Sequence, residues 1–427
     1  IPYFDENVEI SQYPDIPNNE FTRDEILSML AKEMLDAAEQ LPASQPEVGR
    51  IHKYIALAYA AKIKLYQAYQ QDEITHAVTS INKELLREVV SLCDQVTASN
   101  RYGLLDDFQG LDLVTNENGK ESVFAIQYSM NDGTESAGRI NWSNLLNSPG
   151  GGSPYGGDGF FLPSQDLINA YQTDANGLPD FNYQSKSDYS WAVLNNGVYT
   201  LQNTTPNVDP RLDFVVGRPT ITWKTYPDKP CEGWVRDKDT YGYNCAKRFW
   251  VSPESSDMFN GWPWGASQLN WQIIRYADIL LWKAEALIEL NEGNGLETAR
   301  DLINQIRNRA RNSAYVKDFN DHSKYAANYL VNPYPADVWN QDYARQALRW
   351  ETRLEKALEG ERFFDLVRWG IVETTMNKYI TAESDNRIYY ANAHFTGGKD
   401  EYYPVPNNQY GFSGGKYVQN PGYAPFN

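Results

Sequence analysis

Cationic side chains, histidine and cysteine are all scarce in this 427-residue chain. Lys and Arg number 38 against 56 Asp and Glu, a formal net charge of −18. Nucleic-acid phosphates need a cationic face, so the balance argues against such a partner. It argues equally against electrostatic docking on anionic lipid. The four histidines, His52, His76, His322 and His394, are scattered, and neither a CxxC nor an HExxH spacing occurs. No metal centre of those kinds is expected. Of three cysteines, Cys93 sits in the helical pattern LLREVVSLCDQV and reads as a small buried hydrophobe. Cys231 and Cys245 flank a loop rich in Gly, Asp and Tyr. Two readings stay open for them: a disulfide in an oxidising compartment, or two thiols that merely fall near each other. No apolar run reaches the roughly 18 residues a bilayer span requires. No signal-peptide pattern heads the chain, which starts at Ile1 rather than Met.

Aromatic residues are what the chain has in excess: 12 Trp, 30 Tyr and 16 Phe. Tyr and Trp offer flat, amphipathic surface at low entropic cost, which points to recognition of a ligand or partner. Hydrophobic residues make up 41% of the chain, enough for a globular core.

Three textures follow one another. Residues 1–20 are irregular. FTRDEILSMLAKEMLDAAEQLP then opens with Thr22 and Glu25 in capping-box positions and continues at helical spacing. RIHKYIALAYAAKIKLYQAYQ (50–70) predicts a second helix, with Ala56, Ala60 and Ala61 admitting a close neighbour, and residues 82–98 predict a third. From 103 to 265, Gly, Pro, Asn, Asp and aromatics dominate, with short β-prone pieces and one short helix at 164–171. Helices return at 270–293 and 295–311 as a hairpin of the tetratricopeptide kind. The fold class expected is mostly α: helical hairpins form a scaffold at 20–100 and 270–370. A long, loop-rich, aromatic-rich insertion with few short strands spans about 103–265 and makes the ligand face with a C-terminal segment, 371–427.

RWETRLEKALEGERFFDLVRWG (349–370) mixes dense charge with Trp350, Phe363, Phe364 and Trp369. It reads as two short helices, the second ended by Gly370. Glu355 and Glu359 raise the possibility of a glycosidase carboxylate pair. One-turn spacing on a helix is the signature of charge patterning, and Arg beside aromatic rings suits ion pairs and stacking at helix contacts. No catalytic residue is assigned.

That stretch resembles the signature of the SusD-like (RagB/SusD) family. Seven further pieces resemble it in the same order: TRDEILSMLAKEMLDAAEQLP at 22–42, GRIHKYIALAYAAKIKLYQAY at 49–69, DPRLDFVV at 209–216, IIRYADILLWKAEALIEL at 273–290, INQIRNRAR at 303–311, YYPVPNNQ at 402–409 and YVQNPGY at 417–423. The resemblance implies one domain over 1–427 with four tetratricopeptide-like hairpins and a loop-rich ligand face. It implies a non-enzymatic, cell-surface, lipid-anchored outer-membrane protein of Bacteroidetes that captures a glycan, or in some members a peptide. The partner implied is a SusC-like TonB-dependent transporter, which receives the ligand. Members normally carry many residues before the point matching Ile1, including the signal peptide, the lipid-bearing cysteine, the first helices and often part of the ligand site.

The ligand face is expected in the aromatic window 189–264, which holds six of the twelve Trp. Sugars present apolar ring faces to aromatic platforms and hydroxyl rims to Asn, Asp and Arg. The residues singled out are Trp234, Arg236, Asp237, Tyr241 and Tyr243 in CEGWVRDKDTYGYNC, Trp262 and Trp264 in GWPWG, Trp191 and Trp223, and Trp142 with Asn144 in GRINWSNLLN. Core packing beneath a long loop is the competing role for each Trp. Helical Trp271, Trp282, Trp350 and Trp369 are assigned to packing. No cofactor is expected. TDANGLPD (173–180) sets Asp174, Asn176 and Asp180 in a turn that hints at Ca²⁺ but lacks the bidentate terminal Glu, so an Asx turn is favoured. The acidic balance disfavours uronate-rich ligands unless the site itself is basic.

Overall fold

A computed structural model of the protein describes residues 2–134, 138–142, 146–148, 150, 152–224, 226–261 and 265–426. Helix α1 (Arg23–Gln40) starts on the expected capping box: Thr22 Oγ1 accepts the Glu25 N–H at 3.2 Å and the Glu25 carboxylate accepts the Thr22 N–H at 2.8 Å. Helix α2 (Lys53–Ala68) packs against α1 along its alanine stripe, with Ala56, Ala60 and Ala61 buried. An antiparallel strand pair, Tyr69–Gln71 with Val78–Ile81, turns the chain into α3 (Lys83–Ala98), whose Cys93 is buried as expected.

The loop-rich region contributes three short helices, α4 (Gln165–Ala170), α5 (Arg211–Val215) and α6 (Lys238–Tyr241), and only two-stranded ladders among the described residues. Helices α7 (Tyr276–Leu290) and α8 (Gly295–Asn312) form the expected hairpin. Helix α9 (Gln341–Glu355) packs on both, while α3 packs on α7, so the helices form one continuous stack. The chain then continues through α10 (Arg362–Arg368), α11 (Val372–Glu383) and α12 (Asn407–Phe412).

Two boundaries differ from expectation. Trp271–Arg275 is a strand paired antiparallel with Ser122–Ile126, not the first turn of α7. Adjacent Ile273 and Ile274 favour extended backbone, and Asp278 caps the Arg275 N–H at 2.7 Å, so the helix starts at Tyr276. Helix α9 begins eight residues before Arg349 and ends at Glu355, where Leu358 and Gly360 take positive φ. Gly370, also at positive φ, closes α10 as expected.

The charged stretch is interior. Glu355 is buried between Arg211 (3.2 Å), Arg275 (3.0 Å) and Arg309. Arg275 also reaches Glu121 (2.8 Å) and Glu359 (2.7 Å), and Arg248 joins Glu359 (3.3 Å) to Asp112 (3.1 Å). Arg211 belongs to the loop-rich region, Arg309 to α8 and Glu355 to α9, so this lattice fastens the insertion to the stack. Arg368 pairs with Glu285 and lies 5.3 Å from the Trp369 ring, whose indole N–H also reaches Glu285. Trp282, Trp350 and Trp369 pack as expected, whereas Phe364 faces solvent.

Candidate ligand site

One interior cluster of the loop-rich region is built mainly from aromatic side chains. Trp223, Trp234 and Trp250 surround Tyr155, with ring centroids 4.8–6.3 Å apart. Trp223 donates its indole N–H to the Tyr155 hydroxyl at 2.9 Å, which donates to the Val251 carbonyl at 2.8 Å. Trp223 and Trp234 are only 1% and 4% exposed. A sugar needs an open indole face, so both expected platforms are corrected to core residues. Cys231 and Cys245 lie in the same cluster as buried, free thiols that hydrogen-bond each other. Burial pushes the Cys245 thiol well up.

Asp237 is also corrected: its carboxylate caps α6, accepting the Thr240 N–H at 3.1 Å. That same cap positions Tyr241, which is 44% exposed. Arg236 is exposed and reaches Asp158 at 3.1 Å and the Gly157 carbonyl at 2.6 Å. Tyr243 is half-buried edge-on to Tyr199, Trp191 stands half-exposed on the hairpin Trp191–Asn195/Val198–Gln202, and Trp142 is half-exposed. Asn144, Trp262 and Trp264 lie outside the described residues. Asp174 forms the favoured Asx turn, accepting the N–H groups of Asn176 and Leu178, and Asp180 pairs with Lys186.

Tyr241 opens onto a cavity of about 370 Å³ that the sequence did not single out. One wall is the segment 158–164; the other is the end of α11 with the 3₁₀ turn Ile388–Tyr390. Tyr389 lies 6.2 Å from Tyr241 and 4.6 Å from Tyr390, and Tyr390 lies 5.5 Å from Tyr379. Tyr241, Tyr389 and Phe160 are all strongly exposed at the mouth. Polar groups sit below them. Glu383 receives the Asp166 N–H through one oxygen, while its other oxygen is buried without a partner. Burial pushes its carboxyl up to about 7, against the pull of that N–H. Arg387 and Asp158 complete the lining.

A second cavity of about 430 Å³ adjoins the first and shares Ser164, Tyr379 and Tyr390 with it. The pair therefore presents rings, hydroxyls and charged groups along one continuous wall. Sequence reading passed over NRIYYAN (386–392), whose adjacent Tyr389 and Tyr390 were its visible signal. Glu355 and Glu359 line neither cavity. The three arginines around Glu355 hold its carboxyl down to about 2, so it cannot donate a proton near neutrality.

The SusD family model matches residues 120–423. The chain belongs to the SusD family. Solved structures extend the match to nearly the whole fold. A SusD superfamily protein from Bacteroides vulgatus superposes with a TM-score of 0.65 at 21% identity, covering 99% of this chain and 73% of that one. A SusD-like carbohydrate-binding protein from Bacteroides fragilis gives 0.64 at 19%, covering 96% and 74%. A laminarin-binding SusD-like protein gives 0.55 at 20%, covering 99% and 74%. Among curated proteins none matches. Against this SusD-family background the stack α1–α3 and α7–α9 is the expected tetratricopeptide-like scaffold, and the twin cavities lie where the loop-rich region meets α9–α11.

Proposed function

We propose that this SusD-family chain captures an oligosaccharide or polysaccharide at the cell surface, without chemistry, and delivers it to a SusC-like TonB-dependent transporter in the outer membrane. Lipid anchoring of the mature protein at that membrane belongs to the same proposal. The observation that carries the binding reading is the aromatic mouth formed by Tyr241, Tyr389 and Phe160 over Glu383 and Arg387. Ring faces exposed beside fixed polar groups suit a sugar's alternating apolar faces and hydroxyl rims. The names of related proteins, laminarin-binding and carbohydrate-binding, support the same class of ligand. Among the described residues no helix is long and apolar enough to cross a membrane.

The test is a binding screen of the purified protein against a glycan panel and a peptide pool, with reducing ends assayed on every glycan that binds. Glycan binding with no new reducing ends is expected. Binding confined to peptides, or release of new ends, overturns the proposal.

A further inference from the structure

The second cavity holds a charge that the protein does not neutralise. Five charged side chains line it: Asp166, Arg353, Lys356, Arg362 and Asp365. Four have partners. Arg353 donates to Asp166 at 2.6 Å and to the Tyr183 hydroxyl at 2.9 Å. Lys356 pairs with Asp278, and Asp365 pairs with Arg368 at 2.9 Å. Arg362, the first residue of α10, makes no ion pair and donates no hydrogen bond among the described residues. Partial burial and the neighbouring Arg353 charge push its guanidinium down to about 9, against the pull of Asp166 and Asp365. The side chain is only partly buried, so water serves donors that an anion entering the cavity would take over.

We propose that Arg362 completes its ion pair with the carboxylate of a uronic-acid residue seated in this cavity. A guanidinium fork matches a planar carboxylate with two parallel hydrogen bonds. The remaining wall fits the rest of such a sugar. Phe161, Phe363, Tyr379 and Tyr390 offer apolar surface, while Ser164 and Thr352 stand nearby as hydroxyl partners. The volume of about 430 Å³ falls within the usual range for a small-ligand pocket. Continuity with the aromatic cavity through Ser164, Tyr379 and Tyr390 puts the charged residue of a chain here and its neighbours at Tyr241 and Tyr389. The overall charge of −18 repels acidic glycans at long range, so selection falls to this one local cation. The inference rests on the glycan-binding reading.

The probes are glucuronate, galacturonate and mannuronate, each titrated against its neutral parent hexose and followed by ligand-observed NMR. At least one uronate is expected to bind about tenfold or more tighter than its parent. Arg362→Met abolishes that margin and Arg362→Lys restores part of it. Arg362→Met is also expected to melt no lower than the wild type, since it removes an uncompensated charge. Phenylglyoxal labelling read by mass spectrometry gives a second signal: uronate, but not hexose, protects Arg362. Equal affinity for uronates and hexoses overturns the carboxylate site yet leaves glycan binding standing. Binding of none of the six sugars overturns it too. Marked destabilisation by Arg362→Met, or tighter binding of an acidic peptide than of any uronate, assigns the arginine to another role and likewise overturns it.

Discussion

Trp223, Trp234 and Trp250 pack around Tyr155, while Tyr241 and Tyr389 remain half-exposed at a cavity mouth. Trp223, Trp234, Trp250 and Tyr241 share the aromatic window 189–264 expected to meet ligand, and Tyr389 lies outside it. What separates them is the third dimension. The Trp cluster fills an interior of the loop-rich region, while Tyr241 and Tyr389 sit on short turns that leave their rings at the surface. Glu383 shows the same dependence on surroundings. With its folded carboxyl near 7, above its ordinary value of 4.5, the folded state holds a proton the unfolded chain has released between those values. Stability from this group is therefore present below about pH 4.5 and lost as pH rises through 7. Glu383→Gln keeps an acceptor for the Asp166 N–H and removes the penalty. It is expected to raise the melting temperature at pH 8 and change it little at pH 4.5. A lower melting temperature at pH 8 contradicts this account of Glu383.

At the scale of elements, α9 is the fastening between the helical stack and the ligand face. Its Glu351 and Glu355 reach Arg307 and Arg309 on α8 and Arg211 on α5, and its Arg353 holds Asp166 on α4. Removing one partner of such a lattice strands charges that water cannot reach. Glu355→Gln is expected to cost about 3–5 kcal/mol in a denaturant melt. The sign of its pH dependence is opposite to that of Glu383. With the folded carboxyl near 2 and an ordinary value of 4.5, its contribution is present above 4.5 and lost as pH falls towards 2. The helices were legible because their apolar periodicity, the Thr22 capping box and the Gly370 stop are local signals. The strand Trp271–Arg275 was not, because its partner lies about 150 residues earlier, and Ile273 and Ile274 fit a helical pattern equally well. The paired reading of RWETRLEKALEGERFFDLVRWG was also visible, since Arg and Glu at one-turn spacing between aromatics suit helix contacts. Which arginines it would meet was fixed by the fold.

At the scale of the whole molecule, the scaffold and the site obey different rules. The stack α1–α3 and α7–α9 repeats one packing solution and leaves its pattern in the sequence. The twin cavities are assembled from segments 158–166, 183–184, 241, 352–366 and 375–390, none of which carries the site alone. Sequence reading found Tyr241, and Arg236 that pairs with the lining Asp158, and missed Tyr389, Tyr390, Glu383 and Arg362. Arg362 lies in the stretch expected as scaffold, and the other three lie in the C-terminal segment, which sequence reading groups with the ligand face without singling out any residue. The central claim is that ligand is held at the mouth between Tyr241 and Tyr389 and not on the buried Trp cluster. It is tested most directly by titrating one bound oligosaccharide against the wild type and the Tyr241→Ala, Tyr389→Ala double variant, with circular dichroism to verify an unchanged fold. The account predicts an affinity loss of about tenfold or more, some 1.4 kcal/mol at least, in a fully folded protein. A folded double variant that binds the oligosaccharide as tightly as the wild type contradicts it.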